Sequence, residues 1–175
     1  MKEIRPHLDF EIDKLTNSIE NAITGEIFGT VITEVSDASE IKIKDWQFDW
    51  RKETKREDKE VFKLTTVNNP TVIQGLICIS DKGDHICMDV IENAKFNKGK
   101  KKLYRGVAGN LVGFVCKTAF ERDYDGLVAF VAKTQLIEHY KTTLGAKQLT
   151  KNRMYIDTQE SLALVKQYFK DFKHG

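Results

Sequence analysis

The sequence has no apolar run of about 18 residues, the length a membrane-crossing helix requires, so no such helix is expected. It has little net charge. Basic and acidic side chains nearly balance at a formal +2 and mostly alternate locally, so no nucleic-acid or membrane partner is inferred. Cysteines are few: Cys78, Cys87 and Cys116 each lie in an apolar stretch, and no pair has metal-ligand or redox spacing. An odd number cannot pair fully within one chain, so reduced, buried thiols and a cytoplasmic setting are expected, with no metal site. The segment from Met1 to Lys14 is charged throughout and lacks the apolar core of a secretory leader. Internal repeats, low-complexity tracts and interdomain linkers are missing as well.

What remains is an ordinary globular composition, 41% hydrophobic and 31% charged over 175 residues, enough for one core without disulfide or metal staples. Phe10, Ile12, Leu15, Ile19, Ala22 and Ile23 lie near helical spacing, and Gly25 is placed to stop that helix. Ile27 to Val35 reads as a strand, and Trp46, Phe48 and Trp50 alternate as an aromatic-faced strand. The charged segment Arg51 to Glu60 reads as a solvated hairpin tip or loop. Strands are predicted over Val61–Val67, Val72–Ser80 and Ile86–Ile91, the last two joined by a reversal at Asp81-Lys82-Gly83-Asp84. At Gly106 the pattern turns helical, and Leu127–Ala132 is an apolar run suited to a strand covered on both faces. Strand, helix and buried strand in succession imply a parallel pair with a right-handed crossover. A helix over Gln135–Leu144, a strand over Arg153–Asp157 and a last helix with Leu162, Val165, Phe169 and Phe172 complete the chain.

The most informative stretch runs from Lys98 through Lys101, Lys102, Leu103, Tyr104, Arg105, Gly106, Val107, Ala108 and Gly109 to Asn110 and Leu111. It sets a basic, glycine-bearing loop between a strand and a helix. The first N–H groups of a helix lack internal partners and carry the positive end of its dipole, and small residues there let a phosphate approach. The same residues also suit a solvated loop with glycines for turning, and composition alone leaves the two readings open.

Gly106-Val107-Ala108-Gly109-Asn110-Leu111 resembles the diphosphate signature of the GNAT acyltransferase superfamily, Gln/Arg-x-x-Gly-x-Gly/Ala with an aliphatic residue three places on. Leu136 to Ala146, with Tyr140 and a Leu144-Gly145 end, is similar to that family's later tyrosine-bearing helix. The resemblance covers about Gln74 to Asp157. It implies an α/β (α+β) single domain: N-terminal helix 1–25, strand meander 26–92, CoA-binding core 93–157 and C-terminal helix 158–175. The sheet would be mixed and mostly antiparallel, flanked by helices, with a central parallel pair, Ile86–Glu92 and Leu127–Ala132, splayed to admit pantetheine.

The implied activity is N-acetyl transfer from acetyl-CoA to an amine by direct attack, the acceptor being a small molecule or a protein. Backbone around Met88, Val90 and Ile91 would pair with pantetheine. Gly106, Val107, Ala108, Gly109 and Asn110 would hold the diphosphate, with Lys101, Lys102 or Arg105 beside it. Tyr140 is the candidate acid toward the coenzyme thiolate and Glu92 the candidate base; Asp89 and His85 are weaker candidates. Three features depart from the family pattern. Leu103 stands where the signature has glutamine or arginine, the loop Asn93–Leu103 is long, and Tyr140 stands five residues before Gly145 rather than four. A non-catalytic acyl-CoA-binding module and a protein-interaction module remain as alternatives. Open sheet edges leave a homodimer open too.

Overall fold

The computed structural model describes residues 18–173 and, ahead of them, Leu8 and Ile12. Most of the helix expected over residues 1–25 therefore lies outside the described residues. Its last part is a hairpin instead, in which β1 (Ile19–Asn21) pairs antiparallel with β2 (Ile27–Phe28). The Asn21 side-chain oxygen accepts from the amides of Ile23 and Thr24 at 2.9 and 3.0 Å, and Gly25 sits at φ +75°. Satisfying the backbone locally in this way competes with a helix, so the glycine closes a turn between strands.

β3 (Thr30–Glu34) starts the main sheet. Next come α1 (Trp50–Thr54), β4 (Glu60–Thr66), β5 (Gly75–Asp81) and β6 (Ile86–Asn93). β7 (Tyr104–Arg105) leads directly into α2 (Val107–Glu121), followed by β8 (Val128–Val131) and α3 (Ile137–Leu144). β9 (Lys147–Thr150), β10 (Arg153–Ile156) and α4 (Thr158–Tyr168) end the described chain. The seven-stranded sheet has the order β3-β4-β5-β6-β8-β10-β9, and a small sheet has the order β2-β1-β7. In the main sheet β6 and β8 are parallel and the other neighbours antiparallel.

Period-two alternation divides the core into two layers. On one face Leu64, Ile77, Ile79, Ile86 and Met88 pack under α2 and α4; on the other Val61, Leu76, Cys78 and Val90 pack against Trp50, Val35 and Ile41. β5 is buried on both sides, as befits a central strand. Gly75 lets α2 approach: a Cβ there would stand 2.7 Å from Val107 Cγ1 and 3.0 Å from Leu111 Cδ1. At the far end of α2, Arg122 bonds Glu60 at 2.8 Å and Asp81 at 2.9 Å, and the Tyr124 hydroxyl donates to Asp81 at 2.7 Å. The Tyr124 hydroxyl, with the Gly83 amide and Arg122, holds the Asp81 carboxyl below the usual range.

Four expectations need correction. Trp46–Trp50 is not a strand, because the Glu92 carboxylate takes the amides of Gln47 at 2.8 Å and Phe48 at 3.2 Å that a ladder would need. Asp49 then caps α1 through the Lys52 amide at 3.1 Å, so the segment read as a charged tip begins as a helix. The apolar run Leu127–Ala132 is covered on one face only: Val128 and Phe130 are buried while Ala129 and Val131 are half-buried. The last helix stops at Tyr168, and Phe169 and Phe172 pack on the core from beyond its end.

Candidate functional site

β6 and β8 run together for three residue pairs, Ile86↔Val128, Cys87↔Ala129 and Met88↔Phe130, and then part. A bulge lies at the fork. Ile79 pairs with Met88 but Cys78 pairs with Val90, leaving Asp89 as the extra residue. The bulge turns the strand, so that Met88 and Ile91 face the α2 layer whereas Val90 joins Trp50 on the other face. Met88, Val90 and Ile91, the residues expected to meet a pantetheine arm, therefore line the start of the gap.

The first turn of α2 packs over the end of β6 beyond this fork: Val107 and Leu111 lie against Gly75, whose partner across β5 and β6 is Asn93. Gly106 is its N-cap at φ +87°, a left-handed conformation that glycine adopts without strain. Val107, Ala108, Gly109 and Asn110 are all buried. Asn110 donates to Thr30 Oγ1 at 3.3 Å, and its own side-chain oxygen is buried without a partner among the described residues. A buried helix start that opens on glycine and small residues has the geometry of an anion site.

The long loop is built rather than loose. Buried Asn97 donates to the backbone and side-chain oxygens of Gln74 at 3.1 and 2.9 Å and accepts from the Tyr104 amide at 3.1 Å. Leu103 donates to Phe96 O at 2.7 Å and accepts from the Ala22 amide at 2.8 Å, so its backbone, not its side chain, anchors the approach to α2. Arg105 pairs with Glu20 across β7 and β1. The side chains of Lys101 and Arg105 are exposed and that of Lys102 is half-buried.

No protein-family model matches the chain, and no curated protein matches its sequence. Among solved structures, a KacTA–DNA complex contains a GNAT-fold chain similar to this one, with a TM-score of 0.57 and 15% identity over 78% of this chain and 98% of that one. The strand order, the parallel pair and the helix between its strands agree with that likeness. The chain has the GNAT fold. A chimera of the Vibrio cholerae spermidine N-acetyltransferase SpeG with hSSAT is also similar, with a TM-score of 0.46 and 10% identity, over 76% of this chain and 98% of that one. The DNA belongs to the KacTA complex, and that likeness lends no support to the expectation that nucleic acid plays no part. Among the described residues no helix is long and apolar enough to cross a membrane, and no cluster of metal-ligating side chains occurs.

Within the GNAT fold, α3 presents Ile137, Tyr140 and Leu144 to the core and leaves Lys141 outside, 3.2 Å from Glu138. At the helix end the Gly145 amide reaches back five residues to Tyr140 O. Tyr140 is on the inner face because it stands three residues after Ile137 and four before Leu144, ordinary helical spacing. Tyr140 is 0% exposed, with its ring edge-on to Phe130 at 5.3 Å between centroids.

Glu92 is 4% exposed and carries four hydrogen bonds: Phe48 N and Trp50 Nε1 on one oxygen, Gln47 N and Lys98 Nζ on the other. Those four donors fill the carboxylate's lone-pair directions. Asp89 is placed differently. Its Oδ2 is engaged by Ser80 Oγ and lies 3.9 Å from Lys59 Nζ, and among the described residues nothing bonds its other oxygen. Burial works against the Lys59 charge, but Asp89 and Glu53 outweigh it and raise its pKa. Burial, with Asp89 and Glu53 nearby, pushes the Cys78 thiol well up, and burial pushes Cys116 up to about 12. Neither is an activated thiol. His85, the other weaker candidate, pairs with Asp84 at 2.7 Å away from the fork.

The half-covered face of β8 opens a pocket of about 420 Å³, lined by Cys87, Ala129, Val131, Leu149, Arg153 and Tyr155 among others. Sequence reasoning missed this pocket, and it missed the Asn97–Gln74 hub. The bulge had a visible sign: the alternation of Ile86 and Met88 breaks at the adjacent pair Val90-Ile91.

Proposed function

We propose that the protein is an acyl-CoA-dependent N-acyltransferase that moves an acetyl group from acetyl-CoA to an amine. The observation that carries this reading is the conjunction at one place of a bulged, parting parallel pair and the buried first turn of α2. Each feature alone has bland explanations. Together they suit an extended, amide-bearing arm ending in a diphosphate.

In this reading Gly106, Val107, Ala108, Gly109 and Asn110 hold the diphosphate through backbone N–H groups, with Lys101, Lys102 and Arg105 adding charge. Backbone at Met88, Val90 and Ile91 orients the arm. Acetyl-CoA supplies the activated thioester when bound. Tyr140 gives its hydroxyl proton to the sulfur that leaves, and the surrounding aromatic core keeps water from it. Asp89 is assigned the base role ahead of Glu92, because it keeps an unengaged oxygen on the half-covered face of the sheet while Glu92 is committed to four donors. The acceptor amine enters from that face, over the floor made by Cys87, Ala129 and Val131.

The second reading, a module that binds acyl-CoA without turnover, draws on Leu103 in place of a polar signature residue. Turnover separates the two. Purified protein with acetyl-CoA and a panel of small amines and lysine peptides should release free thiol only when an accepted amine is present. Saturable acetyl-CoA binding with no thiol released for any amine favours the module, and no binding removes both readings.

A further inference from the structure

The face of the main sheet away from α2 changes character at β6. Over β4, β5 and β6 it is covered by Val35, Ile41 and Trp50; over β8 and β10 it is the floor of the pocket of about 420 Å³. The strand register sets the pocket residues in rows. Arg153 is opposite Val131 and Tyr155 opposite Ala129, so two polar tips of β10 stand beside two apolar residues of β8. Leu149 is the extra residue of a bulge in β9, between the pairs Gln148↔Met154 and Thr150↔Arg153, and forms the far wall. Lys82 closes the end nearest the β5–β6 reversal.

The charges in this lining are unbalanced. Among the described residues the side chains of Arg153 and Lys82 have no ion pair, whereas Asp84, the one carboxylate of the lining, is paired with His85 at 2.7 Å. The register also relates the pocket to the base. Met88 pairs with Phe130, and the next residues along are Asp89 on β6 and Val131 on β8, with Arg153 beside Val131. Asp89 and Arg153 therefore stand at one level of the sheet, two strand spacings or at least about 10 Å apart along the backbone, with Val131 between them.

We propose that the acceptor is a small, largely apolar amine that carries an oxyanion, and that Arg153 sets this specificity by holding the oxyanion while the amine lies at Asp89. The inference rests on the acyltransferase reading above and adds to it the class of acceptor. A guanidinium offers a planar fork of donors that suits a carboxylate or a phosphate. The Tyr155 hydroxyl and the Lys82 ammonium line the same pocket and supply further donors. The second ammonium of a diamine would meet two unpaired cations there and no free carboxylate. The volume is that of a small-molecule site rather than of a protein surface. In the transfer the amine nitrogen bonds the acetyl carbon as the carbon–sulfur bond breaks; Asp89 accepts the proton the amine loses, and Tyr140 supplies the one the sulfur gains.

Thiol release from acetyl-CoA with amines of matched length tests this: δ-aminovalerate, aminobutyl phosphate, pentylamine and cadaverine, beside a lysine peptide. One or both oxyanion-bearing amines should give the highest kcat/KM and cadaverine the lowest. Arg153→Gln should lower kcat/KM for the preferred amine by roughly 10- to 100-fold, mainly through KM, and leave pentylamine within about 2-fold. Arg153→Glu should turn the preference toward cadaverine. In amide NMR, δ-aminovalerate or aminobutyl phosphate should give saturable shifts at Val131 and Arg153, lost in Arg153→Glu. Preference for pentylamine, cadaverine or the lysine peptide, or an oxyanion preference unchanged in Arg153→Gln, would overturn the acceptor class and leave the acyltransferase reading standing. No release with any amine would overturn that reading and the acceptor role with it. The NMR titration then decides the pocket alone: shifts lost in Arg153→Glu keep it as an oxyanion site, and their absence overturns that as well.

Discussion

Replacing Glu92 by glutamine separates two roles that sequence reasoning could not tell apart. The carboxylate joins β6 to the 47–50 segment and to Lys98. Glutamine keeps one acceptor oxygen. If it faces Phe48 N and Trp50 Nε1, the amide nitrogen opposes the Gln47 amide, which loses its partner in a part-buried setting; Lys98, 42% exposed in its side chain, can turn to water. One orphaned donor costs about 1–3 kcal/mol. For a domain of this size that is a fall in Tm of roughly 2–12 °C, at about 2–4 °C per kcal/mol. The assay is thermal unfolding of both proteins, followed by kcat well below either midpoint. The anchor role predicts a lowered Tm with kcat per folded molecule nearly intact. An unchanged Tm with kcat down by about 10²–10⁴, the usual worth of a general base, would refute the reasoning and restore Glu92 as that base.

Gly106→Glu should abolish acetyl-CoA binding by blocking the turn and adding like charge, while Gly106→Ala, which carries only about 1–2 kcal/mol of left-handed strain, should keep measurable binding; calorimetry reads both. Tyr140→Phe should lower kcat by about 10²-fold with acetyl-CoA affinity unchanged, checked by steady-state kinetics beside equilibrium binding. Gly75→Ala drives a methyl toward Val107 and Leu111 and should destabilise by about 1–3 kcal/mol in urea unfolding. Asp81, whose pKa is lowered in the folded state, contributes stability above its unfolded value that is lost as pH falls through the folded one. Asp81→Asn should therefore flatten the decline of Tm below about pH 4.

The parts of the fold that could be read from the sequence are those where one physical demand sets the pattern. α2 was legible because its apolar stripe and Gly106 mark the same boundary, and β8 because an apolar run after a helix has few other uses. The segments that misled are those where a distant side chain takes over the backbone. Trp46, Phe48 and Trp50 alternate like a strand, yet Glu92, more than 40 residues away, captures the Gln47 and Phe48 amides and the Trp50 indole N–H. β9 has no buried residue at all and is an edge strand held by β10, so it left no hydrophobic alternation to find. For the site, the start of α2 at Gly106 was foreseen, whereas the spacing of Tyr140 left its direction open. The parallel bridge between Leu8 and Ala132 was not foreseen, because the two meet across more than 120 residues and nothing near Leu8 announces the pairing.

The central claim is that the fork and the first turn of α2 together form one acyl-CoA site. Amide NMR of the full chain, titrated with acetyl-CoA, tests it most directly. The account predicts saturable shifts concentrated at Val107, Ala108, Gly109 and Asn110 and at Val90 and Ile91, with smaller changes over β9. Absence of shifts at millimolar acetyl-CoA, or shifts confined to surfaces away from both segments, would contradict it.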